Sequence, residues 1–287
     1  MRLLITGSSG QLGTTLHDLL AKYYEIVNTT RHGINSDTFN LDITNKIMLK
    51  EVLYATKPDL IINLAAMTNV DLCERDPSAA KRVNFLGVEN ICNLFDGKII
   101  QISTDYVFDG KMGPYSEDDI TNPISVYGKT KLLAEKVVLN HNDKNIVLRT
   151  NVLYSYNLKT NSCFVNWVVR SLKEKREINV VNDQYNNPTW TKSISKVIFL
   201  CIQKKISGLY HWGDGDILNR YQFSLKIAKI FNLDSSLIKS IKTSELSQFA
   251  KRPLKSGLIS KKMEEAINVY APSVEDCLRI INGQKKL

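Results

Sequence analysis

Short apolar runs alternate with segments whose apolar residues recur every three or four positions, and this alternation governs the first half of the chain. Arg2–Thr6, Glu25–Thr30, Leu60–Leu64, Lys98–Ser103 and Asn145–Arg149 predict strands. Gln11–Tyr23, Lys46–Ala55, Pro77–Phe95 and Val126–Asn140 predict helices, the second ending before Lys57-Pro58. Alternating strands and helices require crossovers, and crossovers are right-handed. The expected fold class is therefore α/β, a doubly wound parallel sheet with helices on both faces. The second half is mixed. Phe164–Lys175, Ser193–Lys204 and Tyr221–Phe231 read as helices and Gly208–Trp212 as a strand. This division predicts a main domain over residues 1–155, rejoined by about 184–212, and a smaller mixed α/β lobe from 156–183 and 213–287.

Composition narrows the class. Among 287 residues, 43% are hydrophobic and 23% charged, as in an ordinary water-soluble protein. The longest apolar run, Leu60–Met67, is interrupted by Asn63 and falls short of the ~20 residues that span a bilayer. MRLLITG reads as a first strand rather than a signal peptide. The five cysteines form no CxxC and read as buried, reduced thiols of a cytoplasmic protein. The four histidines form no HxxxH pair, so no metal site is expected. A net charge of +9 raises the question of nucleic acid. The charge is scattered, however, with only short clusters at Lys173–Arg176, Lys261–Lys262 and Lys285–Lys286. Neither nucleic acid nor membrane is an expected partner. A basic cleft would suit small anionic ligands such as a dinucleotide or a sugar diphosphate.

The first turn reads Thr6-Gly7-Ser8-Ser9-Gly10-Gln11-Leu12-Gly13, between a predicted strand and a predicted helix. Glycines at 7, 10 and 13 let backbone approach a pyrophosphate where a Cβ would obstruct it, and the helix offers free N–H groups and a positive dipole end. The sheet thus reads as Rossmann-type and residues 1–155 as a dinucleotide-binding domain. The second strand ends at Thr30-Arg31-His32. An acidic residue there favours NAD, whereas an arginine can receive the 2′-phosphate of NADP. Arg31 places NADP(H) ahead of NAD(H), though an exposed arginine also needs no ligand to explain it.

Tyr127 and Lys131 lie four apart on a predicted helix and share a face. A free phenol, with a pKa of about 10, is a poor proton donor or acceptor at neutral pH. A neighbouring ammonium lowers that value and fits the pair for acid–base work on a carbonyl or alcohol. With 12 tyrosines in the chain the spacing alone discriminates little. The context adds weight: Ser103-Thr104-Asp105-Tyr106 ends a predicted strand some twenty residues earlier, on the side of the sheet where ligands bind. Lys129 reads as a surface charge.

With these elements in order, the chain resembles the extended short-chain dehydrogenase/reductases, and among them the dTDP-4-dehydrorhamnose reductase group. TGSSGQLG at Thr6–Gly13, NLAAMTNVDLCE at Asn63–Glu74, STDYVFDG at Ser103–Gly110 and YGKTKLLAE at Tyr127–Glu135 carry the resemblance. NDQYNNPT at Asn182–Thr189, GLYHW at Gly208–Trp212 and KRP at Lys251–Pro253 extend it almost end to end. It implies Tyr127 as proton donor, Lys131 as its activator and ribose anchor, and Thr104 as the hydroxyl partner. It also implies cofactor contacts at Gly10, Gln11, Leu12, Asp42, Ile43, Leu64, Ala65, Ala66 and Ile102, beside Gly7, Gly13 and Arg31 read above from the loop and the strand end. Thr104, Asp105, Val152 and Arg252 fall on the substrate side, with Arg252 toward the diphosphate.

One departure stands out. Rhamnose-pathway members carry a tryptophan in the sugar pocket where RTNVLY places Val152, so the sugar does not follow from the resemblance. The tail RIINGQKKL lacks a carboxylate cluster and gives no support to a metal-bridged dimer, leaving a plain homodimer open. The leading expectation is NAD(P)H-dependent reduction of the 4-keto group of a nucleotide-linked deoxysugar. The alternatives are a sugar-nucleotide epimerase and a dinucleotide-binding regulatory subunit. The latter follows because YGKTKL, GLYHWGDGD and NRYQF also resemble the methionine adenosyltransferase beta subunit.

Overall fold

A computed structural model describes residues 1–33, 38–156 and 163–283. Lys285–Lys286, the end of the tail and part of the segment assigned to the smaller lobe, 157–162, lie outside the described residues. The strands are β1 (Arg2–Thr6), β2 (Glu25–Thr30), β3 (Thr38–Asn40), β4 (Leu60–Asn63), β5 (Lys98–Thr104), β6 (Ile146–Thr150), β7 (Leu153–Tyr154), β8 (Ile178–Val181), β9 (Tyr185–Asn186), β10 (Thr189–Trp190), β11 (Gly208–Trp212), β12 (Leu218–Asn219) and β13 (Ile238–Ile241). The α-helices are α1 (Gln11–Leu20), α2 (Lys46–Thr56), α3 (Val70–Arg75), α4 (Pro77–Lys81), α5 (Gly87–Leu94), α6 (Val126–His141), α7 (Phe164–Lys173), α8 (Thr191–Gln203), α9 (Arg220–Ile230), α10 (Lys261–Ile267) and α11 (Val274–Ile281).

Seven parallel strands form the main sheet in the order β11-β6-β5-β4-β1-β2-β3. The order reverses beside β1, which makes the sheet doubly wound and opens a crevice at the carboxyl ends of β1 and β4. Strand alternation divides the core. Leu3, Ile5, Ile62 and Leu148 face one side with apolar residues of α1, α8 and α10. Leu4, Ile61, Ile99 and Val147 face the other with α2, α5 and α6. A separate apolar cluster, including Trp190, Phe223, Ile227 and Leu278, packs α7, α9 and α11 with β8. No helix among the described residues is long and apolar enough to cross a membrane. All five cysteines are buried and unpaired.

The single helix predicted over Pro77–Phe95 is a composite: α4, a π-helical turn over Arg82–Leu86, then α5. The cause is a side chain. Buried Asn84 accepts from Met67 N at 2.7 Å and donates to Met67 O at 3.1 Å and Thr130 Oγ1 at 3.2 Å. The widened turn keeps this amide directed at the loop after β4; such turns recur beside functional sites. Helices α3, α10 and α11, the short strands β7, β8, β9, β10, β12 and β13, and β3, a partly exposed three-residue strand, have no predicted counterpart. The other predicted elements are present with ends shifted by up to three residues.

Two buried titratable groups lie in and just after β11, His211 within the strand and Asp214 beyond it. His211 accepts from Arg149 Nη1 at 3.2 Å and donates from Nδ1 to Tyr115 O at 3.1 Å. Burial first, then the Arg149 charge, pushes its pKa down to about 3, so the ring is neutral. Asp214 accepts from Trp190 N at 2.8 Å and from Ser193 Oγ, and burial raises it to about 7. Its folded value lies well above the roughly 3.8 of a free aspartate. Asp214 therefore stabilises the fold fully below that value and loses its contribution as pH rises through about 7. Asp214→Asn removes this titration. The difference in unfolding free energy between variant and wild type should move in the variant's favour from pH 5 to about 7, by at most about 1.4 kcal/mol per pH unit, and level off above that. A difference independent of pH would show that Asp214 titrates as an ordinary carboxylate.

Candidate active site

The crevice at the sheet's carboxyl edge is a cleft of about 1510 Å³. That exceeds the 300–1,000 Å³ usual for a single ligand and leaves room for two. Every site residue singled out in the sequence lines it, from the glycine loop to Arg252.

At one end, Gly7 adopts φ +62°, and a Cβ there would stand 3.1 Å from the backbone of Leu64 and Ala65. A Cβ on Gly13 would meet the Ser8 carbonyl oxygen at 2.4 Å. These close approaches fold the loop tightly under α1, whose N-terminus begins at Gly10 with no side-chain cap. The first N–H groups of α1 thus face the cleft with no side chain covering them, a seat for phosphate. Thr6 Oγ1 ties the loop to the neighbouring strand by accepting from Leu64 N and Ala65 N, both at 3.1 Å. Its own proton goes to Asn63 Oδ1 at 2.5 Å. Asp42 is fixed by Thr44, which donates from N at 2.9 Å and Oγ1 at 2.7 Å. Arg31 is exposed, its Nε directed at His32 Nε2 at 3.2 Å, which leaves its terminal nitrogens to the cleft. The loop, the helix start and these flanking groups fit a dinucleotide.

The reactive cluster lies where β5 meets α6. Ser125 caps α6, accepting from Gly128 N at 3.2 Å, and Glu74 receives Val126 N at 2.9 Å. Gly128 lets the helix start press on the turn after β5: a Cβ there would sit 2.1 Å from Tyr106 O. Tyr127 is thereby held beside Thr104, with its ring edge-on to Tyr106 at 5.6 Å. Thr104 Oγ1 donates to Asp105 Oδ1 at 3.0 Å and accepts from Tyr106 N at 3.2 Å. Lys131, one turn on, is buried and donates to Ile102 O at 2.6 Å. Lys129 points to solvent.

The electrostatics differ from the spacing argument. Burial and then the Asp105 charge push the Tyr127 phenol above its ordinary value, with Thr104 pulling the other way. Burial brings Lys131 down to about 8 against an opposing pull from Glu135. The expected lowering of Tyr127 by Lys131 is not the dominant influence in this arrangement.

The far wall comes from the second half of the chain. Arg252 makes a two-pronged pair with Asp71, Nη1–Oδ1 3.0 Å and Nη2–Oδ2 2.9 Å, which holds Asp71 down at about 2. Asp105 is buried and bonded by Ser256 Oγ, so it tethers the end of β5 to this wall. Val152 lines the cleft without polar reach. Sequence reasoning missed Asp71 and Arg220 as wall residues. Asp71 lies 181 residues from Arg252, and Arg220 was legible only as part of NRYQF.

The RmlD substrate binding domain model matches residues 1–282. The chain belongs to this family. Relatives agree in length and shape with the RmlD-type chain described above. The dTDP-4-dehydrorhamnose reductase of Aggregatibacter actinomycetemcomitans is 34% identical over 98% of each chain. The crystal structure of dTDP-4-dehydrorhamnose reductase from Bacillus anthracis in complex with NADP superposes with a TM-score of 0.89, at 30% identity over 99% of each chain. Methionine adenosyltransferase 2 subunit beta of Xenopus tropicalis is 30% identical, covering 92% of this chain and 82% of its own.

Proposed function

We propose that this RmlD-family protein is an NAD(P)H-dependent oxidoreductase that reduces the 4-keto group of a nucleotide-linked deoxysugar. The observation that carries the reading is the convergence of the glycine loop with Thr104, Tyr127 and Lys131 in one cleft with room for two ligands. The nicotinamide dinucleotide, when bound, supplies hydride. Gly7, Gly10, Gln11, Leu12 and Gly13 would hold its pyrophosphate, Asp42 and Ile43 would sit near the adenine, and Leu64, Ala65, Ala66 and Ile102 would line its length. Lys131 would anchor the ribose. Tyr127 would give the proton to the sugar oxygen while Thr104 holds that oxygen in line. Asp105, Val152 and Arg252 would bound the sugar nucleotide, on the lobe side of the cleft. Unpaired, buried cysteines agree with a cytoplasmic setting.

NADP(H) is the proposed preference, resting on Arg31. NADPH should bind at least as tightly as NADH, and Arg31→Ala should weaken NADPH about tenfold, the value of one charge-assisted contact, while leaving NADH unchanged. Cofactor fluorescence titration measures both. A strong NADH preference that persists in the variant would overturn the assignment.

The functional test is NAD(P)H consumption with a panel of 4-keto sugar nucleotides. Turnover of any member supports the reductase. Tight dinucleotide binding without turnover, together with co-purification of a synthetase, would favour the regulatory reading that the Xenopus relative's similarity keeps in view. Interconversion of sugars without net cofactor use would favour an epimerase.

A further inference from the structure

Among the described residues, Arg220 is the one cation of the cleft wall whose head makes neither a hydrogen bond nor an ion pair. Arg31 is turned to His32, Arg82 reaches Ser78, Lys131 bonds Ile102 O and Arg252 grips Asp71. Arg220 is the first residue of α9, after the Asn219–Gln222 capping box, which fixes where its side chain leaves the backbone. Its guanidinium carbon lies 5.4 Å from the centre of the Phe164 ring, so an aromatic face supports it without using its donors.

The surroundings call for an anion. A guanidinium stays charged in proteins and carries five donors in a planar fork. Arg220 feels Arg252 as a like charge and Tyr106 and Asp105 as opposing influences. The Asp105 oxygens are engaged by Thr104 and Ser256. Asp71 is engaged by Arg252 and by Ala250 N at 2.9 Å. Two arginines therefore share one wall, and only one of them has a carboxylate against it. A partly buried cation with no anion on it is costly, and the cost is removed when a ligand brings the missing charge.

We propose that Arg220 is the principal seat of the substrate's diphosphate, with Arg252 completing it from the neighbouring position. This rests on the nucleotide-sugar reading above. Two adjacent phosphates present two oxyanions to two neighbouring cations, and a planar fork binds such oxygens in a pair of parallel bonds. Arg252 is held by Asp71, so it contributes mainly charge. Arg220, with all its donors open, makes the direct contacts. The dinucleotide's own pyrophosphate has its separate seat at the glycine loop.

The test is calorimetric titration of NADPH-loaded protein with dTDP and with UDP. Arg220→Met should weaken both by about 10- to 100-fold, as expected for lost charge-assisted hydrogen bonds, with NADPH affinity at the wild-type level. Arg220→Lys, which keeps the charge but not the fork, should fall between. A readout that a purely structural arginine would not give is stability. Methionine still packs on Phe164 and removes the unpaired charge, so nucleotide-free Arg220→Met should melt no lower than wild type. Unchanged diphosphate affinity in Arg220→Met would overturn the proposal. So would a lowered melting point with a parallel loss of NADPH binding, which would make Arg220 a packing residue. If the wild-type protein binds neither dTDP nor UDP, the nucleotide-sugar reading itself falls, and this assignment with it.

Discussion

Tyr127→Phe is expected to lower turnover of an accepted 4-keto sugar nucleotide by roughly 10²–10⁴-fold, the usual cost of a lost general acid. Thermal stability and NADPH affinity should remain near wild type. Reduction of a carbonyl leaves negative charge on its oxygen, and that charge must be met by a proton within hydrogen-bond reach. Tyr127 enters the reaction protonated, because burial and the Asp105 carboxyl both hold its phenol above the ordinary value. A donor that is fully protonated at neutral pH suits the reductive direction. What it then needs is support for the phenolate it becomes. Lys131, one helical turn away and now bonded to Ile102 O, is the cation placed to give it. The substitution removes one oxygen and keeps the ring, so the edge-on contact with Tyr106 survives. Steady-state turnover, measured beside a cofactor titration and a melting curve, separates chemistry from binding and folding. Near-full activity in the variant would show that the proton comes from elsewhere.

What could be read from the sequence follows from what is local. The parallel sheet was legible because runs such as Leu3-Leu4-Ile5 and Leu60-Ile61-Ile62 carry their burial with them, on both faces at once. The glycine loop was legible because close backbone approach leaves no alternative at Gly7 and Gly13. The break inside Pro77–Phe95 was not, because it is set by Asn84 reaching Met67 and Thr130, 17 and 46 residues away. The same holds for the site. Tyr127 and Lys131 could be paired from spacing, Thr104 was named through the family resemblance, and the structure brings the three to one place. The sign of the environment on Tyr127 could not. A lysine four residues on suggests a lowered phenol, whereas the surrounding fold buries the group and sets Asp105 beside it. The Arg252–Asp71 pair and the open fork of Arg220 depend on chain segments that meet only after folding.

Beneath the site, Glu135→Gln is expected to lower Tm by roughly 6–20 °C, from the 3–5 kcal/mol that an uncompensated buried charge costs. Glu135 and Arg149 have side chains only 2% and 4% exposed and are joined at 2.7 Å between Oε2 and Nη2. Arg149 Nε adds bonds of 3.0 and 3.2 Å to the same carboxylate, while Nη1 donates to neutral His211. Ser103 Oγ donates to Glu135 as well, and the Arg149 guanidinium lies 5.1 Å from the centre of the Phe108 ring. Removing one charge leaves the other stranded in this dry setting. Replacing both, as Glu135→Leu with Arg149→Met, should restore most of the lost stability, because an apolar pair avoids the desolvation cost. Some loss should remain, since Ser103 and His211 each lose a partner. The double variant then isolates a second role. Glu135 is the influence that holds the Lys131 ammonium up against burial, near 8. Without it Lys131 loses its proton at lower pH. On the proposed ribose-anchoring role of Lys131, NADPH affinity in the double variant should begin to fall with rising pH earlier than in wild type, although the fold has been repaired. Affinity measured from pH 6 to 9 in both proteins decides the matter. Coincident profiles would confine the Glu135–Arg149 pair to holding β6 and α6 together.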